Sequence, residues 1–342
     1  MPKRPISRRV IASPRGGQRT FSRPSNFPGA QQIPLDQPRQ NPVIPLDQDS
    51  IRIIPLGGVE EIGKNMTAVQ YRDDIIIIDA GLQFPGEEAP GVDYVIPDTS
   101  YLQKRKDKIR GLFVTHGHLD HTGGIPYICS RLGNPTIYTR YLTSVMIKKR
   151  QEEFPELPPL KMEIIEENKK VRVGKYLSVR AFRVTHTIPD SMGLIIETPY
   201  GNIIFTGDIK VDHNEGEPLP AEVEVFSSLG KENNLFLAAD STNVERPGWS
   251  FSERVVHENL RKIIIESKGR LIMGTFASLL ERIMFVIKVA EEQGKKIVVR
   301  GRSMKTNIAI AKQIELLKVK PGTIISHEHI DNYPPEKIIV LA

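Results

Sequence analysis

The sequence predicts a mixed α/β fold in which β-strands flanked by helices make up most of the chain. Apolar runs rich in β-branched residues recur from residue 51 onward, and Gly, Asp or Asn bound them, as is typical of strands. Residues 252–269 predict a helix that stops at a glycine, and 270–304 predict strand, helix and strand, which indicates a small parallel α/β domain. The 342 residues are sufficient for about two domains.

The first predicted strand lies within residues 49–58. Seven more follow, separated by short helical stretches: TAVQY, DIIIID, LFVTH, TIYT, LSVRAFRVTH, GLIIETPYG and NIIFTGD. The segment 57–71 has three glycines but neither the GxGxxG spacing nor the Lys-Ser/Thr pair of a phosphate-binding loop, so it predicts no nucleotide site. The acidic loop 84–98 is too long for a tight turn, and we expect it over or beside a cleft.

Three of the eight histidines and one aspartate lie within six residues of the segment THGHLDHTGG, residues 115–124. The apolar run 109–116 predicts a buried strand that ends at this segment. Residues 120–133 predict a helix, with Asp120 or Thr122 as its cap and Gly133 just past its end. The four side chains are therefore expected at a strand-to-helix turn.

Side chains at alternate positions of such a turn can converge on one point. We expect His116 and His118 to face one ion, and Asp120 and His121 to face a second position nearby. Neutral imidazoles with a carboxylate suit zinc better than calcium or magnesium, which prefer oxygen ligands. A single loop histidine is usually a surface or capping residue, but that explanation does not fit three at this spacing.

The segment HGHLDH resembles the His-x-His-x-Asp-His signature of the metallo-β-lactamase superfamily. Three other segments resemble further motifs of that superfamily in the same order along the chain: IIIIDAG (75–81), VTHTIPDS (184–191) and IIFTGDIK (203–210). Each of these segments is common when it occurs alone, so the resemblance depends on their order around HGHLDH. It implies a four-layer αββα sandwich.

The resemblance also implies a role for each motif residue. Six residues would bind two zinc ions, the first ion through the histidines 116, 118 and 186: His116, His118, Asp120, His121, His186 and Asp208. Asp208 would bridge the two ions, and Asp79 would accept a hydrogen bond from a ligating histidine rather than bind metal itself. Two ions about 3.5–4 Å apart can stabilise both oxygens of an in-line phosphoryl displacement, so hydrolysis is the expected chemistry.

The composition is typical of a protein from a reducing compartment. Cys129 is the only cysteine, which excludes a disulfide framework, and its apolar neighbours predict a packing role. No apolar run approaches the roughly 20 residues that span a bilayer. The sequence therefore predicts a soluble protein without a membrane partner.

Residues 1–48 are predicted to be a disordered, basic, proline-rich arm. Residues 1–50 contain eight Lys or Arg, three Asp and nine of the 26 prolines, and so carry +5 of the net charge of +6. The segment 7–13 is similar to a twin-arginine export signal, but no apolar region follows it, so we do not expect export. The arm could attract nucleic-acid phosphates, or it could be a solvated tail without a dedicated role.

The residues beyond Asp208 resemble the β-CASP branch of the superfamily, whose members act on nucleic acids. The segment 233–248 leads a strand into Asp240, and its DSTN resembles the first β-CASP motif. GTFAS, GRSM and the final IDNYPPEKIIVLA are similar to the ribonuclease J family. The expected domains are a metallo-β-lactamase domain, 49–245, and an incomplete β-CASP domain, 246–342, with three catalytic acids: Asp120, Asp208 and Asp240.

This resemblance implies a cytoplasmic 5′-to-3′ exonuclease and endonuclease for RNA maturation, rRNA processing and mRNA decay. It implies two zinc ions per complete chain, with manganese as an alternative, single-stranded RNA as substrate, and a homodimer or homotetramer that could join an RNA-decay assembly. Arg302 and Ser303 could contact backbone phosphate, although a helix cap explains Ser303 equally well. His213 could line the cleft, whereas three other histidines are expected on the surface: His257, His327 and His329.

Two departures from the family pattern affect these expectations. Leu119 occupies a position that does not bind metal and where the family often has an acid. The family continues beyond the position of Ala342 with a histidine-containing loop and a final histidine that completes the second zinc site. The chain is therefore expected to bind one ion tightly and a second weakly, and to be a poor or inactive nuclease. Uncovered strand edges are expected to favour its aggregation or association.

Two other function classes stay open. The zinc motifs alone would also suit a hydrolase of a small molecule such as a lactam or a thioester, but the β-CASP-like segment argues against it. A non-catalytic RNA-binding or assembly protein could keep the same fold, but the six intact ligand positions argue against that.

Overall fold

The computed structural model describes residues 47, 49–87 and 89–342. Apart from residue 47, the predicted basic arm 1–48 lies outside the described residues, and its disorder stays a prediction. Within the described part of the chain, no helix has both the length and the apolarity needed to cross a membrane.

The first sheet has its strands in sequential order. It consists of β1 (Ile51–Gly57), β2 (Met66–Tyr71), β3 (Asp74–Ile78), β4 (Ile109–Phe113), β5 (Ile137–Thr139) and β6 (Met162–Ile164). β1 to β3 are antiparallel, and β3 to β6 are parallel. β3 is buried along its whole length, which explains why its apolar run is continuous rather than alternating.

The second sheet has the order β13-β10-β9-β8-β7. Its elements and the hairpin between them are, in chain order, β7 (Val171–Val173), β8 (Leu177–Arg183), β9 (Met192–Thr198), β10 (Gly201–Phe205), the hairpin strands β11 (His213–Asn214) and β12 (Glu217–Pro218), and β13 (Asn234–Ala238). β7 to β10 are antiparallel, and the edge strand β13 runs parallel to β10.

The two sheets pack face to face with helices on their outer sides. Ile76 and Phe113 of the first sheet belong to one buried cluster with Leu194 and Ile203 of the second. The five helices of this region are α1 (Ser100–Gln103), α2 (Leu119–Thr122), α3 (Ile125–Arg131), α4 (Tyr141–Gln151) and α5 (Pro220–Leu229). α3 packs on the outer face of the first sheet and α5 on that of the second, so the predicted αββα sandwich is confirmed.

The remaining residues form a parallel sheet with helices. Its strands are β14 (Leu271–Met273), β15 (Lys296–Val299), β16 (Ile324–Ile325) and β17 (Ile338–Leu341), in the order β14-β17-β15-β16, and its helices are α6 (Glu253–Glu266), α7 (Leu280–Glu292) and α8 (Arg302–Gln313). α6 begins where the sequence predicts, because the Ser252 hydroxyl accepts a hydrogen bond from the Val255 amide. The predicted strand, helix and strand of 270–304 are confirmed.

The helix predicted over residues 120–133 is wrong in detail. It is broken into α2 and α3 at Gly123 and Gly124, and His118 occupies the N-cap position instead of Asp120 or Thr122. A Cβ atom at residue 124 would lie 2.6 Å from a backbone oxygen of the loop after β3, so the break permits a close approach of the helix to that loop. Five strands of two or three residues were not predicted, because runs this short carry no periodicity: β6, β7, β11, β12 and β16.

Candidate metal centre

The predicted motif residues follow the carboxyl ends of four strands, two in each sheet. Asp79 follows β3, His116 follows β4, His186 follows β8 and Asp208 follows β10. β3 and β4 are parallel, so their ends lie at the same edge of the sheet. Face-to-face packing of the two sheets then brings the residues of the second sheet to this edge. Residues more than a hundred positions apart in the sequence therefore meet at one place.

Four side chains form the first cluster: His116, His118, His186 and Asp208. The Nδ1 atom of His118 lies 3.0 Å from Nε2 of His116 and 3.2 Å from Nε2 of His186. Oδ2 of Asp208 lies 3.8 Å from the first of these Nε2 atoms and 3.9 Å from the second. Tetrahedral zinc with bonds of about 2.0–2.1 Å places its ligand atoms roughly 3.3 Å apart, so these four donor atoms fit one ion.

Three side chains form the second cluster: Asp120, His121 and Asp208. Nε2 of His121 lies 3.4 Å from Oδ2 of Asp120 and 3.2 Å from Oδ1 of Asp208. Asp208 thus directs one carboxylate oxygen to each cluster. The structure therefore brings all six predicted ligand residues together and divides them into two groups that share one carboxylate.

Asp79 fixes the orientation of His121. Nδ1 of His121 donates to Oδ2 of Asp79 at 2.8 Å, and the Thr115 amide donates to Oδ1 of the same carboxylate, also at 2.8 Å. With its proton on Nδ1, the neutral imidazole directs the lone pair of Nε2 into the second cluster. Asp79 adopts a left-handed backbone conformation, with φ of 59°, that these two hydrogen bonds hold in place.

The protonation states of the first cluster suit metal binding. Burial lowers the pKa of His116 well below its usual value, and the neighbouring imidazoles add to this effect. Burial, together with the nearby His186, lowers the pKa of His118 to about 4. Burial also lowers the pKa of His186. All three imidazoles are therefore neutral at neutral pH and have lone pairs available.

In the second cluster the histidine pKa is raised, whereas the histidine pKa values of the first cluster are lowered. Burial lowers the pKa of His121, but the surrounding carboxylates of Asp79, Asp120 and Asp208 outweigh burial and raise this pKa well above its usual value. Burial raises the pKa of Asp120 and Asp208, but His121 outweighs it, so the pKa of each carboxyl group is lowered. Two ionised carboxylates beside one buried imidazole are a donor set that suits a metal ion, which would take the place of the proton on Nε2 of His121.

Asn65 is a site residue that sequence reasoning missed. Its Nδ2 atom lies 3.3 Å from Oδ2 of Asp120 and 3.1 Å from Nε2 of His121. Its backbone amide donates to the Asp120 carbonyl oxygen at 2.9 Å, and its carbonyl oxygen accepts from the Gly81 amide. A single asparagine in a loop before a strand carries no signal of this role.

Gly81, in the loop after β3, packs against the HGHLDH segment at Asp120. A Cβ atom at this position would lie only 1.6 Å from the carbonyl oxygen of Asp120. The residue following IIIIDA must therefore be glycine if the loop after β3 and the start of α2 are to pack this closely.

Asp240 lies beside the centre but belongs to neither of the two clusters found among the described residues. Its Oδ2 atom accepts a hydrogen bond from the Ile209 amide at 3.2 Å, and its Oδ1 atom accepts one from the Thr242 amide at 2.8 Å. Asp240 therefore supports the backbone immediately after Asp208. Its predicted catalytic role stays a prediction.

A large cavity of about 820 Å³ opens beside the two clusters and includes His118 and Asp120 in its lining. Its wall also contains Phe84, so the predicted acidic loop does lie beside the cleft at this residue. Arg302 and Ser303 line the cavity at the start of α8. Ser303 is not the cap of α8, because Gly301 occupies that position, so the capping explanation for Ser303 is wrong.

A smaller cavity of about 30 Å³ lies next to His186 and contains an ion-pair network. Nζ of Lys210 lies 2.5 Å from Oε1 of Glu253, and Nη2 of Arg282 lies 3.1 Å from the same oxygen. Burial raises the pKa of Glu253, but Arg282 and Lys210 outweigh burial and lower this pKa. The neighbouring Glu281 differs, because burial and Glu253 raise its pKa.

The remaining histidines have structural or surface positions. His213 does not line either cavity: its Nε2 donates to the Ser250 carbonyl oxygen at 2.7 Å, and its Nδ1 accepts from a backbone amide in the β11–β12 hairpin. His257 is half-buried and stacks on Phe285 at 4.1 Å between ring centroids, so it lies only partly at the surface. His327 and His329 are exposed, as predicted.

Comparisons with known proteins agree with this architecture. Residues 60–245 match the model of the metallo-β-lactamase superfamily, and residues 268–342 match the model of the ribonuclease J β-CASP domain. A solved structure of a protein of unknown function from Enterococcus faecalis V583 superposes with a TM-score of 0.64 at 18% identity. That likeness covers 85% of this chain and 76% of the other, and it concerns the fold alone.

Curated relatives are similar over most of the described residues. Ribonuclease J of Thermus thermophilus is 39% identical over 300 residues, which are 86% of this chain and 52% of the relative. Ribonuclease J 1 of Streptococcus pyogenes is 38% identical over 299 residues, 87% of this chain and 53% of the relative. Ribonuclease J of Mycoplasma pneumoniae is 35% identical over 290 residues, 85% of this chain and 51% of the relative. The chain spans about half the length of these relatives.

Proposed function

Because the chain belongs to the metallo-β-lactamase superfamily, we propose that it is a metal-dependent ribonuclease of the ribonuclease J type, a phosphodiester hydrolase. The observation that carries this proposal is the cavity beside the two clusters. One wall of it contains His118 and Asp120, and the other contains residues 276–279 and the start of α8, which lie within the β-CASP match. A site for a small molecule alone would not need this second wall.

The metal centre of this proposal consists of two zinc ions, with manganese as an alternative. His116, His118 and His186 would hold the first ion, Asp120 and His121 the second, and Asp208 would hold both. Bound ions of this kind supply a water nucleophile at neutral pH and stabilise charge on the phosphodiester. Since four donor side chains converge at the first position and three at the second, we expect zinc to bind the first more tightly.

Other residues of the chain would orient the metal ligands and bind the substrate. Asp79 keeps the proton of His121 on Nδ1, so that Nε2 stays available. Asp240 holds the backbone beside Asp208, and we propose that this support is its contribution to catalysis. Arg302 and Ser303 would contact the phosphates of a substrate in the cavity, since both line it and the positive end of α8 lies there.

Further features of the proposal come from the resemblance of the motifs to the ribonuclease J family. We propose single-stranded RNA as the substrate, 5′-to-3′ exonuclease and endonuclease activity, and a cytoplasmic location. We also propose that the chain forms a homodimer or homotetramer and that this oligomer joins an RNA-decay assembly. We also propose a boundary near residues 245 and 246 between the metallo-β-lactamase and β-CASP domains.

A comparison of three substrates tests the proposed function. Zinc-loaded protein is incubated with 5′-monophosphorylated single-stranded RNA, with DNA of the same sequence, and with a chromogenic lactam. We expect slow hydrolysis of the RNA, because the second ion binds weakly, little or none of the DNA, and none of the lactam. Lactam hydrolysis with intact RNA would overturn the proposal, and so would a protein that loads two ions but leaves all three substrates unchanged.

A zinc titration tests the metal centre separately. Zinc added to the metal-free protein should give one tight and one weaker binding event. Two events of equal affinity would contradict the division of the ligands into four and three.

A further inference from the structure

Two phenylalanine side chains are exposed inside the large cavity. Phe276 is 79% exposed and Phe84 is 66% exposed, and both belong to the cavity lining together with His118 and Asp120. Scattered apolar side chains on a surface need no explanation, but large aromatic rings in the wall of a concave site are typical of ligand contacts. Neither ring is needed by the hydrophobic core, since both are largely in contact with solvent.

Hydrogen bonds hold the backbone of a residue adjacent to each ring. Gln83, just before Phe84, exchanges two backbone hydrogen bonds with Val95, at 2.9 and 2.8 Å. The loop that carries Phe276 is joined to α8, because Nδ2 of Asn307 donates to the Ala277 carbonyl oxygen at 2.7 Å. Rings on such supported loops are presented to a ligand at a small cost in backbone entropy.

The surroundings of the rings indicate an anionic ligand with flat apolar groups. Arg302 is exposed at the cavity wall, and Lys149 and Arg150 also line it, although these two form ion pairs with Glu152 and Glu153. The apolar wall continues from the two rings through Leu119. Leu119 is partly exposed and occupies the position next to Asp120. A single strand of nucleic acid has both features, since its phosphates are anionic and its bases have free π-faces.

We propose that Phe84 and Phe276 bind the substrate by stacking on bases of single-stranded RNA next to the metal centre. This inference rests on the proposed function, which gives RNA as the substrate. It adds the two residues that contact the bases of that RNA. Because every base has a π-face, this contact tolerates any sequence. It discriminates against a duplex, whose bases are already stacked on one another.

Binding without catalysis provides the test. The dissociation constant of a fluorescent oligoribonucleotide is measured by anisotropy in the presence of EDTA, so that no hydrolysis occurs. The same measurement uses a strand of equal length with abasic sugars. Phe84→Ala and Phe276→Ala are compared with wild type and with Phe251→Ala, whose side chain is also 79% exposed but is not part of the cavity lining. Circular dichroism verifies that each variant is folded.

We expect each cavity variant to weaken binding of the base-bearing strand by about 5- to 150-fold, the range of one lost stacking contact. Binding of the abasic strand should not change, Phe251→Ala should resemble wild type, and Phe276→Trp should restore affinity. Wild-type affinity in both cavity variants would overturn the inference, as would an equal loss on the base-bearing and abasic strands. Base-dependent binding without any RNA hydrolysis after zinc is added would overturn the proposed function and leave this inference standing.

Discussion

The Nδ1 atom of His121 lies 2.8 Å from Oδ2 of Asp79, a residue 42 positions earlier in the chain. Both groups are buried, so water does not compete for this hydrogen bond. The carboxylate also accepts from the amide and the hydroxyl of Thr115, which leaves it little freedom to rotate. The orientation of one candidate ligand therefore depends on a residue that contacts no metal position.

Replacing Asp79 with Asn should lower zinc affinity at the second position by about 10- to 100-fold. The amide keeps the shape of the side chain but no longer carries the negative charge that holds the His121 proton on Nδ1. Competition with a chromophoric chelator measures the affinity. Asp331→Asn, an exposed carboxylate in a surface ion pair, is the control. Unchanged zinc affinity in Asp79→Asn would show that the hydrogen bond has no role in metal binding.

Replacing His118 or Asp120 with Ala should each lower RNA hydrolysis by several powers of ten. The two residues belong to different clusters, so either change removes one of the two ions on which the proposed chemistry depends. Single-turnover hydrolysis rates and bound metal per chain are measured together. His329→Ala, which alters an exposed histidine, should keep the wild-type rate. Near-normal turnover of Asp120→Ala would exclude a two-ion mechanism.

Replacing Gly81 with Ala should displace the start of α2 and empty the second metal position. The new methyl group would lie 1.6 Å from the Asp120 carbonyl oxygen and 2.8 Å from the Asn65 amide nitrogen. Overpacking of this kind typically costs about 1–3 kcal/mol of unfolding free energy. Thermal unfolding and metal analysis are the measurements. Gly269→Ala, where the added atom meets nothing within 4 Å, is the control, and an equal effect of both changes would refute the argument.

How far the sequence predicts this site depends on how far apart its residues are. His116, His118, Asp120 and His121 share one turn, so their spacing alone indicates convergence. His186 and Asp208 could be assigned only through motif resemblance, because nothing local shows that β8 and β10 end beside β4. Nothing in the sequence marks Asn65 as a site residue, because its position beside Asp120 and His121 depends on the tertiary packing of two loops. The cavity depends on side chains from both α/β regions and is visible only in the folded chain.

Cys129 should resist alkylation in the native protein. Burial raises the pKa of this thiol to about 12, so the reactive thiolate is nearly absent between pH 7 and 9. Reaction with iodoacetamide should become fast only in denaturant, where the pKa returns to about 8.5. Intact-mass spectrometry at pH 8 with and without denaturant measures the modification. Rapid alkylation of the folded protein at pH 8 would show that the thiol is accessible.

Deletion of residues 1–48 should weaken RNA binding and reduce its dependence on salt. Eight Lys or Arg lie in this segment, and each phosphate that they neutralise adds to the slope of log affinity against log salt concentration. The rate on saturating RNA should change little. Binding at several salt concentrations gives the slope with and without the segment. An identical slope would mean that the segment is a solvated tail.

Glu253 joins parts of the chain that the comparisons treat as separate. Lys210 lies in the metallo-β-lactamase match, Arg282 lies in the β-CASP match, and Glu253 lies between the two. Both cations lie against one carboxylate, so loss of either partner removes a favourable charge contact at a half-buried position next to His186. A replacement of the β-CASP part that brought no cation to this oxygen would therefore leave Glu253 with Lys210 alone. Compatibility at this one carboxylate therefore favours segments that carry a cation at the position of Arg282.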